Sequence, residues 1–309
     1  MKKIFSLVLS FILLFIYMPT TQAATFGFGA SPIFPENQID GASYFDLQVK
    51  KDQQQTLYII VENFDDQPKT LEITPTTAFT NTIGQIEYSL NDHKPTSGPN
   101  FKELVSGPQT VHLEAKEQKQ VAFQLTIPEK GFSGSLLGGF QILDQNAPTN
   151  GGIQQELAYV IGVMLREDKA LPAPQLTLEN FTTAKEDVAA KLANTSGRLI
   201  SHYQLTGELR SITGKEISLT DQTISVAPHD SFTLQLPTEK PPTSGLYTIK
   251  LTIKGEKAFS FDRWVFLHQQ NNQLQIYELA LWPFILALAF ILGSLILFIW
   301  KKRKEKRYV

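Results

Sequence analysis

Apolar and polar residues alternate in short runs along most of this chain. Thr56 to Val61 (TLYIIV) is followed by the turn residues Asn63 to Pro68, and the chain returns through Thr70-Leu71-Glu72-Ile73-Thr74. Val121, Phe123, Leu125 and Ile127 alternate with Ala122, Gln124 and Thr126 until Pro128 stops the run. A period of two with one apolar side predicts strands with one buried face. Near the C-terminal end, Ile249, Leu251 and Ile253 alternate with Lys250, Thr252 and Lys254; Gly255 turns the chain, and Phe259 and Phe261 bring it back. After Asp262-Arg263 the apolar phase moves to Trp264 and Phe266, which predicts a β-bulge at that pair. Trp264 and Phe266 are then expected to be buried on one face of the last strand of the second domain, and Phe123 in the core of the first. Turn signals recur every 8 to 12 residues or so, the spacing of antiparallel β-sandwiches. No stretch between the two ends of the chain reads as a long amphipathic helix.

The two ends break this pattern. Leu279 to Trp300 is an apolar run of 22 residues without a charge. As a helix it would extend about 33 Å, enough for a hydrocarbon layer of about 30 Å. Lys301 to Val309 (KKRKEKRYV) follows with six basic residues and one Glu. Basic residues beside a span stay on the cytoplasmic side, so the expected topology is a single-pass type I membrane protein with its large N-terminal part outside. At the other end, Lys2 and Lys3 precede the apolar stretch Ile4 to Ile16, and Thr21-Gln22-Ala23 has the small residues of a cleavage site. This reads as a signal peptide over 1–23, the alternative being an uncleaved signal anchor.

Charge must be counted without the ends. Of 28 basic residues two lie in the leader and six in the tail, whereas only one of 30 acidic residues lies in the tail. The external part is therefore distinctly acidic although the whole chain has a net charge of only −2. A nucleic-acid surface would have the opposite sign. There is no cysteine, so neither a disulfide framework nor thiol chemistry is available.

A boundary is expected at Arg166 to Pro174 (REDKALPAP), which is charged and then proline-rich, with Pro172 and Pro174 as a short stiff connector. The rival stretch Asp144 to Gly152 reads instead as a hairpin loop, because apolar strands over 139–143 and 158–165 flank it. The halves echo each other weakly: Ile59, Val61 and Asn63 resemble Val188, Ala190, Leu192 and Asn194.

Chemistry is sparse. His93, His112, His202, His229 and His268 show no metal-ligand spacing. Gly131-Phe132-Ser133-Gly134-Ser135 fails the spacing of a nucleophile elbow. Asp65-Asp66 sits in a turn beside Pro68, where Asp is expected for backbone reasons. Glycoside hydrolysis needs two carboxylates at a set separation, and the sequence declares no such pair. The chain is read as not an enzyme, with no catalytic, cofactor or metal residues and with ligand-binding residues unassigned. Two segments invite a binding role. Ser89 to Gly107 is a long polar stretch that reads either as a binding loop or as a cover for a sheet edge. Gly131 to Phe140 (GFSGSLLGGF) reads as a turn and then a strand packed close to a neighbour, rather than as a ligand contact. Asn180-Phe181-Thr182 and Asn194-Thr195-Ser196 match glycosylation sequons, which matter only in a eukaryotic secretory pathway.

SPIFPENQ (31–38), SYFDLQV (43–49), the strand ending at Asn63, AFTNTIGQIEYS (78–89), VAFQLTIP (121–128) and GFSGSLLGGF (131–140) occur in one order. In that order they resemble the first domain of the WxL-interacting proteins of Gram-positive bacteria. PAPQLTLENF (172–181), SGLYTIKLTI (244–253) and RWVFL (263–267) resemble the second domain of that family. The resemblance covers nearly the whole mature chain. It implies a first domain that binds peptidoglycan and a second that engages WxL-domain surface proteins or host extracellular proteins. It implies no ligand residue by position.

The expected architecture is all-β: two immunoglobulin-like β-sandwich domains with an N-terminal signal peptide and one C-terminal transmembrane helix. The expected division is 1–23 signal peptide, 24–168 first sandwich, 169–268 second sandwich, 269–278 juxtamembrane segment, 279–300 span and 301–309 cytoplasmic tail. The expected role is non-catalytic binding at the cell surface, from the outer side of the cell membrane. The alternative is a membrane-anchored wall hydrolase or its activating subunit.

Overall fold

The computed structural model describes residues 27–39, 41–89, 93–145, 158–167, 170–184, 187–270 and 273–279, with helical residues at 290–294 and 296–297. The expected signal peptide, the basic tail and most of the expected span lie outside the described residues. Among the described residues no helix is long and apolar enough to cross a membrane.

The chain is all-β, as its periodicity requires. In the first sandwich, β1 (Phe28–Ile33), β3 (Gln54–Asn63) and β8 (Gln118–Thr126) form a three-stranded sheet in the order β1-β3-β8. The facing sheet has the order β2-β10-β9-β4-β7, from β2 (Phe45–Gln48), β4 (Lys69–Thr77), β7 (Gln109–Leu113), β9 (Ser135–Asp144) and β10 (Tyr159–Arg166). All pairings are antiparallel except β2 with β10. A small ribbon of β5 (Phe79–Thr80) and β6 (Ile86–Glu87) and a single helical turn, α1 (Phe101–Leu104), complete this half. Alternation fills the core. Leu57, Ile59 and Val61 from β3 meet Val121, Phe123 and Leu125 from β8 and Phe140 and Ile142 from β9. Phe123 lies 4.6 Å from Phe140 between ring centroids, and Phe45 and Phe101 approach Phe140 edge-on.

The second sandwich pairs β11 (Leu176–Ala184), β12 (Asp187–Asn194) and β16 (Ser231–Leu236) in one sheet. Its larger sheet runs β14 (Glu216–Ser218), β13 (Ile200–Ser211), β17 (Gly245–Lys254), β18 (Phe259–Gln270), β19 (Gln273–Glu278), with β15 (Gln222–Val226) also on β13. A separate apolar cluster, including Leu192, Leu205, Tyr247, Ile249, Leu251 and Val265, fills it.

The faint echo between the halves has a physical basis. Asn63 ends β3 fully buried; its side-chain amide donates to Gln67 O at 2.8 Å and Glu114 O at 2.9 Å, and its Oδ1 accepts from Asp65 N at 3.0 Å. Asn194 ends β12 and repeats this with Arg198 O at 2.8 Å, Ala227 O at 3.0 Å and Ser196 N at 3.1 Å. The backbone N–H groups correspond too, Asn63 to Glu117 O and Asn194 to Asp230 O. A buried primary amide must satisfy every donor and acceptor, so the asparagine fixes both its own turn and the turn that enters the neighbouring strand.

Two expectations at the C-terminal edge are corrected. Strand β18 pairs with β17 from Ile253↔Phe259 to Gly245↔Leu267 without a register shift. There is no bulge at Asp262-Arg263. The inward positions stay odd-numbered: Phe259, Phe261, Val265 and Leu267 face the core. Trp264 is only half-buried and Phe266 is 40% exposed, on the outer side of the sheet. The apparent phase change is a second apolar side on one strand, which periodicity cannot distinguish from a bulge. Gln269 and Gln270 finish β18, and Gln273–Glu278 forms β19, which pairs with β18 in register and contributes Leu274 to the core.

Candidate functional site: a groove at the free end of the first sandwich

The described residues of both segments that invited a binding role are packed within the fold. Part of GFSGSLLGGF is packed tightly: a Cβ on Gly138 would lie 2.0 Å from Phe101, and one on Gly139 would lie 2.9 Å from Tyr88. The inner face of β9 thus admits the ring of α1, and its outer face admits Tyr88. Burial, and secondarily Tyr44, pushes the Tyr88 phenol above its ordinary pKa. The Gly134 turn, at φ +76°, packs against the backbone of Gly197 in the second sandwich. There Ser135 N donates to Gly197 O at 2.7 Å.

The polar segment starts along the same junction at His93, Thr96 and Ser97, and from Phe101 to Val105 it packs into the first core. Thr96 N donates to His229 O at 2.7 Å, Ser97 Oγ lies 2.8 Å from His229 Nδ1, and His229 Nε2 lies 3.1 Å from Ser133 O. Asp230, 1% exposed, accepts Thr80 N at 2.7 Å and sits 2.8 Å from His93 Nε2. Thr80 Oγ1 in turn accepts Ala227 N at 3.0 Å. The loop between β5 and β6 reaches between β15 and β16, with Ser225 N to Gly84 O at 2.7 Å and Gln235 N to Thr82 O at 2.8 Å. Ala78, Leu137, Met164 and Ala227 form a small apolar cluster beneath. The histidines are used singly. Among the described residues no group of His, Asp and Glu could hold a metal ion.

The repeat makes the other end of the first sandwich informative. The turn at 114–117 corresponds to the turn at 227–230 that docks the second sandwich onto the first. Beside it lies a groove of about 420 Å³ that follows edge strand β1. Phe64, 48% exposed, forms one wall, Tyr159 from β10 closes the other, and Ser31, Ile60, Glu62 and Gln118 line it between them. The Phe64 ring lies over Gly29, where a Cβ would come within 2.7 Å of it. Phe64 N donates to Gly27 O at 2.8 Å, and Lys116 Nζ donates to Phe64 O at 2.5 Å, so the backbone carrying the ring is held on both sides. Aromatic walls with a few fixed polar groups suit a ligand that has apolar faces and polar edges. Sequence reading missed this groove because its residues come from four separated strands and a turn. The only local signal was a phenylalanine in an otherwise polar turn.

Fold and groove together define a class of protein built from two β-sandwiches, the first of which carries a groove with aromatic walls. Residues 28–144 match the family model of the WxL Interacting Protein peptidoglycan binding domain, and residues 149–274 match that of the WxL Interacting Protein host binding domain. The chain belongs to the WxL-interacting protein family. The division between the two models falls before β10, although β10 pairs with β9 in the first sandwich. No curated protein matches the chain. Among solved structures, the YadV chaperone is 12% identical over 77% of this chain and 100% of that chain, with a TM-score of 0.32. The CsuC–CsuE chaperone–tip subunit complex of Acinetobacter baumannii is 11% identical over 77% and 98%, with a TM-score of 0.37. The CupB2 chaperone of Pseudomonas aeruginosa is 13% identical over 70% and 95%, with a TM-score of 0.30.

Proposed function

We propose that this protein is a membrane-anchored, non-catalytic binding protein of the cell surface that grips wall polymer through the groove beside β1. The second sandwich engages WxL-domain surface proteins or host extracellular proteins. The observation that carries the reading is the placement of Phe64, Tyr159, Glu62 and Gln118 in one groove, within the domain whose family model is described as peptidoglycan binding. Sugar rings would lie on the aromatic walls, and hydroxyl and amide groups would meet Ser31, Glu62 and Gln118. Each such contact is wet and individually weak, and repetition along a polymer raises the avidity. The run Leu279 to Trp300 supplies the anchor, and the basic tail keeps the C-terminus inside.

The test is sedimentation of the solubilised full chain with purified peptidoglycan sacculi. The parent should pellet without releasing soluble wall fragments. Phe64→Ala and Glu62→Gln change exposed or half-exposed side chains, so both should lower retention several-fold at an unchanged melting temperature. Retention by Phe64→Ala equal to the parent would remove the groove from the reading. Release of fragments by the parent would instead favour a hydrolase.

A further inference from the structure

The second sandwich carries an apolar row on the outer side of its larger sheet. Leu246 pairs with Phe266 and Phe266 with Tyr277, and Ile212 N donates to Leu246 O at 3.2 Å, so these four residues lie in one line across β17, β18, β19 and the turn that follows β13. Trp264 stands on the same side one step along β18, opposite Thr248. Ile212 is 67% exposed, Tyr277 52% and Phe266 40%. None of the five packs into the domain core. Apolar residues scattered singly over a surface need no explanation, but a contiguous aromatic row marks an interaction face.

The place where the chain leaves the sheet says what covers that row. Leu279 N donates to Trp264 O at 2.8 Å. Leu279 is also the first residue of the uncharged 22-residue run. The exit point therefore lies at the edge of the row. It also lies partway along β18, which extends from Arg263 back to Phe259 on the far side of it. Those residues and the adjoining turn expose Lys254, Glu256, Lys257, Asp262 and Arg263. If the run continued the line of β19 straight into a bilayer, β18 would carry its charges roughly 17 Å deeper than the exit point. Charges at the centre of a bilayer cost about 2.5–3.5 kcal/mol each. An upright sandwich is thereby disfavoured. Laying the sheet on its outer side puts Trp264, Phe266 and Tyr277 at the boundary of headgroups and acyl chains, where such rings are favoured. Lys254 on β17 then lies at the level of the lipid phosphates, as does Lys250, which stands between Glu208 and Asp262 on the same side.

We propose that the outer face of this sheet, centred on Phe266, is a membrane-docking surface that rests in the interfacial layer of the bilayer the C-terminal run enters. This rests on the anchored topology proposed above. The occupant is lipid, and the docked sheet fixes the tilt of the domain on the membrane.

The absence of cysteine allows single spin labels to be placed in the full chain, reconstituted in nanodiscs of phosphatidylglycerol and phosphatidylethanolamine. Thr248→Cys reports the outer face, Lys191→Cys the exposed side of the opposite sheet, and Ser294→Cys the apolar run. Collision rates with a water-soluble nickel chelate and with lipid-soluble oxygen are measured by electron paramagnetic resonance. The expected result is a Ser294 label in lipid and a Thr248 label whose nickel collisions are several-fold below those at Lys191, with oxygen collisions raised. Phe266→Glu combined with Tyr277→Glu should return the Thr248 label to the Lys191 value at an unchanged melting temperature. A Ser294 label in lipid with a Thr248 label as wet as Lys191 overturns docking and leaves the anchor standing. An aqueous Ser294 label overturns the anchor and docking together. Shielding at Thr248 without raised oxygen collisions also overturns lipid docking: if it disappears at one copy per disc the occupant is a second copy, and if it needs an added surface protein the occupant is that protein.

Discussion

Asp230→Ala is the sharpest test of how the two sandwiches are held. The carboxylate is 1% exposed, accepts the Thr80 N–H at 2.7 Å and lies 2.8 Å from His93 Nε2. Its loss removes a hydrogen bond to a charged acceptor and leaves the buried Thr80 N–H without one. A charged hydrogen bond contributes about 1.5–3 kcal/mol and an orphaned buried donor costs about 1–3, so the combined loss is set at about 3 kcal/mol. For a body of this size about 1 kcal/mol corresponds to about 2–4 °C, which gives a fall in melting temperature of about 6–12 °C. The measurement is calorimetry of the solubilised full chain, with hydrogen exchange read on peptides covering 78–86. Exchange at Thr80 should accelerate. The transition should fall as a whole or split, because the loop between β5 and β6 is seated in the second sandwich. Asp230→Asn keeps one acceptor and should fall between. Asp262→Ala, on an exposed carboxylate, should stay within about 0.5 kcal/mol of the parent. A melting temperature for Asp230→Ala within about 2 °C of the parent, with Thr80 exchange unchanged, would refute the reasoning.

Phe123→Ala should cost about 3–5 kcal/mol, because the ring is fully buried against Phe140. Trp264→Ala, on the outer side of β18, should cost about 1 kcal/mol or less by denaturant titration, and equal losses for the two would contradict the assigned faces. Gly134→Ala would set a Cβ 2.2 Å from Gly197 O in a left-handed backbone. It should lower the melting temperature and speed exchange at Ser135, and parent-like exchange would show that the junction yields freely. The Tyr88 phenol is held above its ordinary pKa by burial. Its contribution to stability is present below an unfolded-state pKa of about 10 and is lost as pH rises through the higher folded value. Tyr88→Phe should therefore flatten the alkaline loss of stability, and an unchanged alkaline limb would remove Tyr88 from that account.

By itself the sequence determined the strands, because a period of two is written locally and one buried face is enough to enforce it. Val121 to Ile127 and Ile249 to Ile253 declared their inward residues without ambiguity, and the uncharged run after Glu278 with its basic flank is the ground on which the anchored topology is proposed. The family could be read from motif order. The turn asparagines hinted at a repeat through spacing alone. What the sequence left open depends on which distant elements meet. Trp264 and Phe266 were assigned to the wrong side because a strand with two apolar faces has no unique phase, and only the register with β17 decides it. The glycine-rich stretch 131–140 read as close packing against a neighbour, but only the fold names Phe101, Tyr88 and Gly197 as the neighbours, and the polar segment around Thr96 stayed open between two readings until His229 was placed against it. Asp230 was one carboxylate among many; tertiary structure buried it against Thr80, more than a hundred residues away, and made it a clamp. The groove of Phe64 and Tyr159 exists only because β1, β3, β8 and β10 converge there. No local pattern encodes that convergence, since each residue obeys only its own strand and turn.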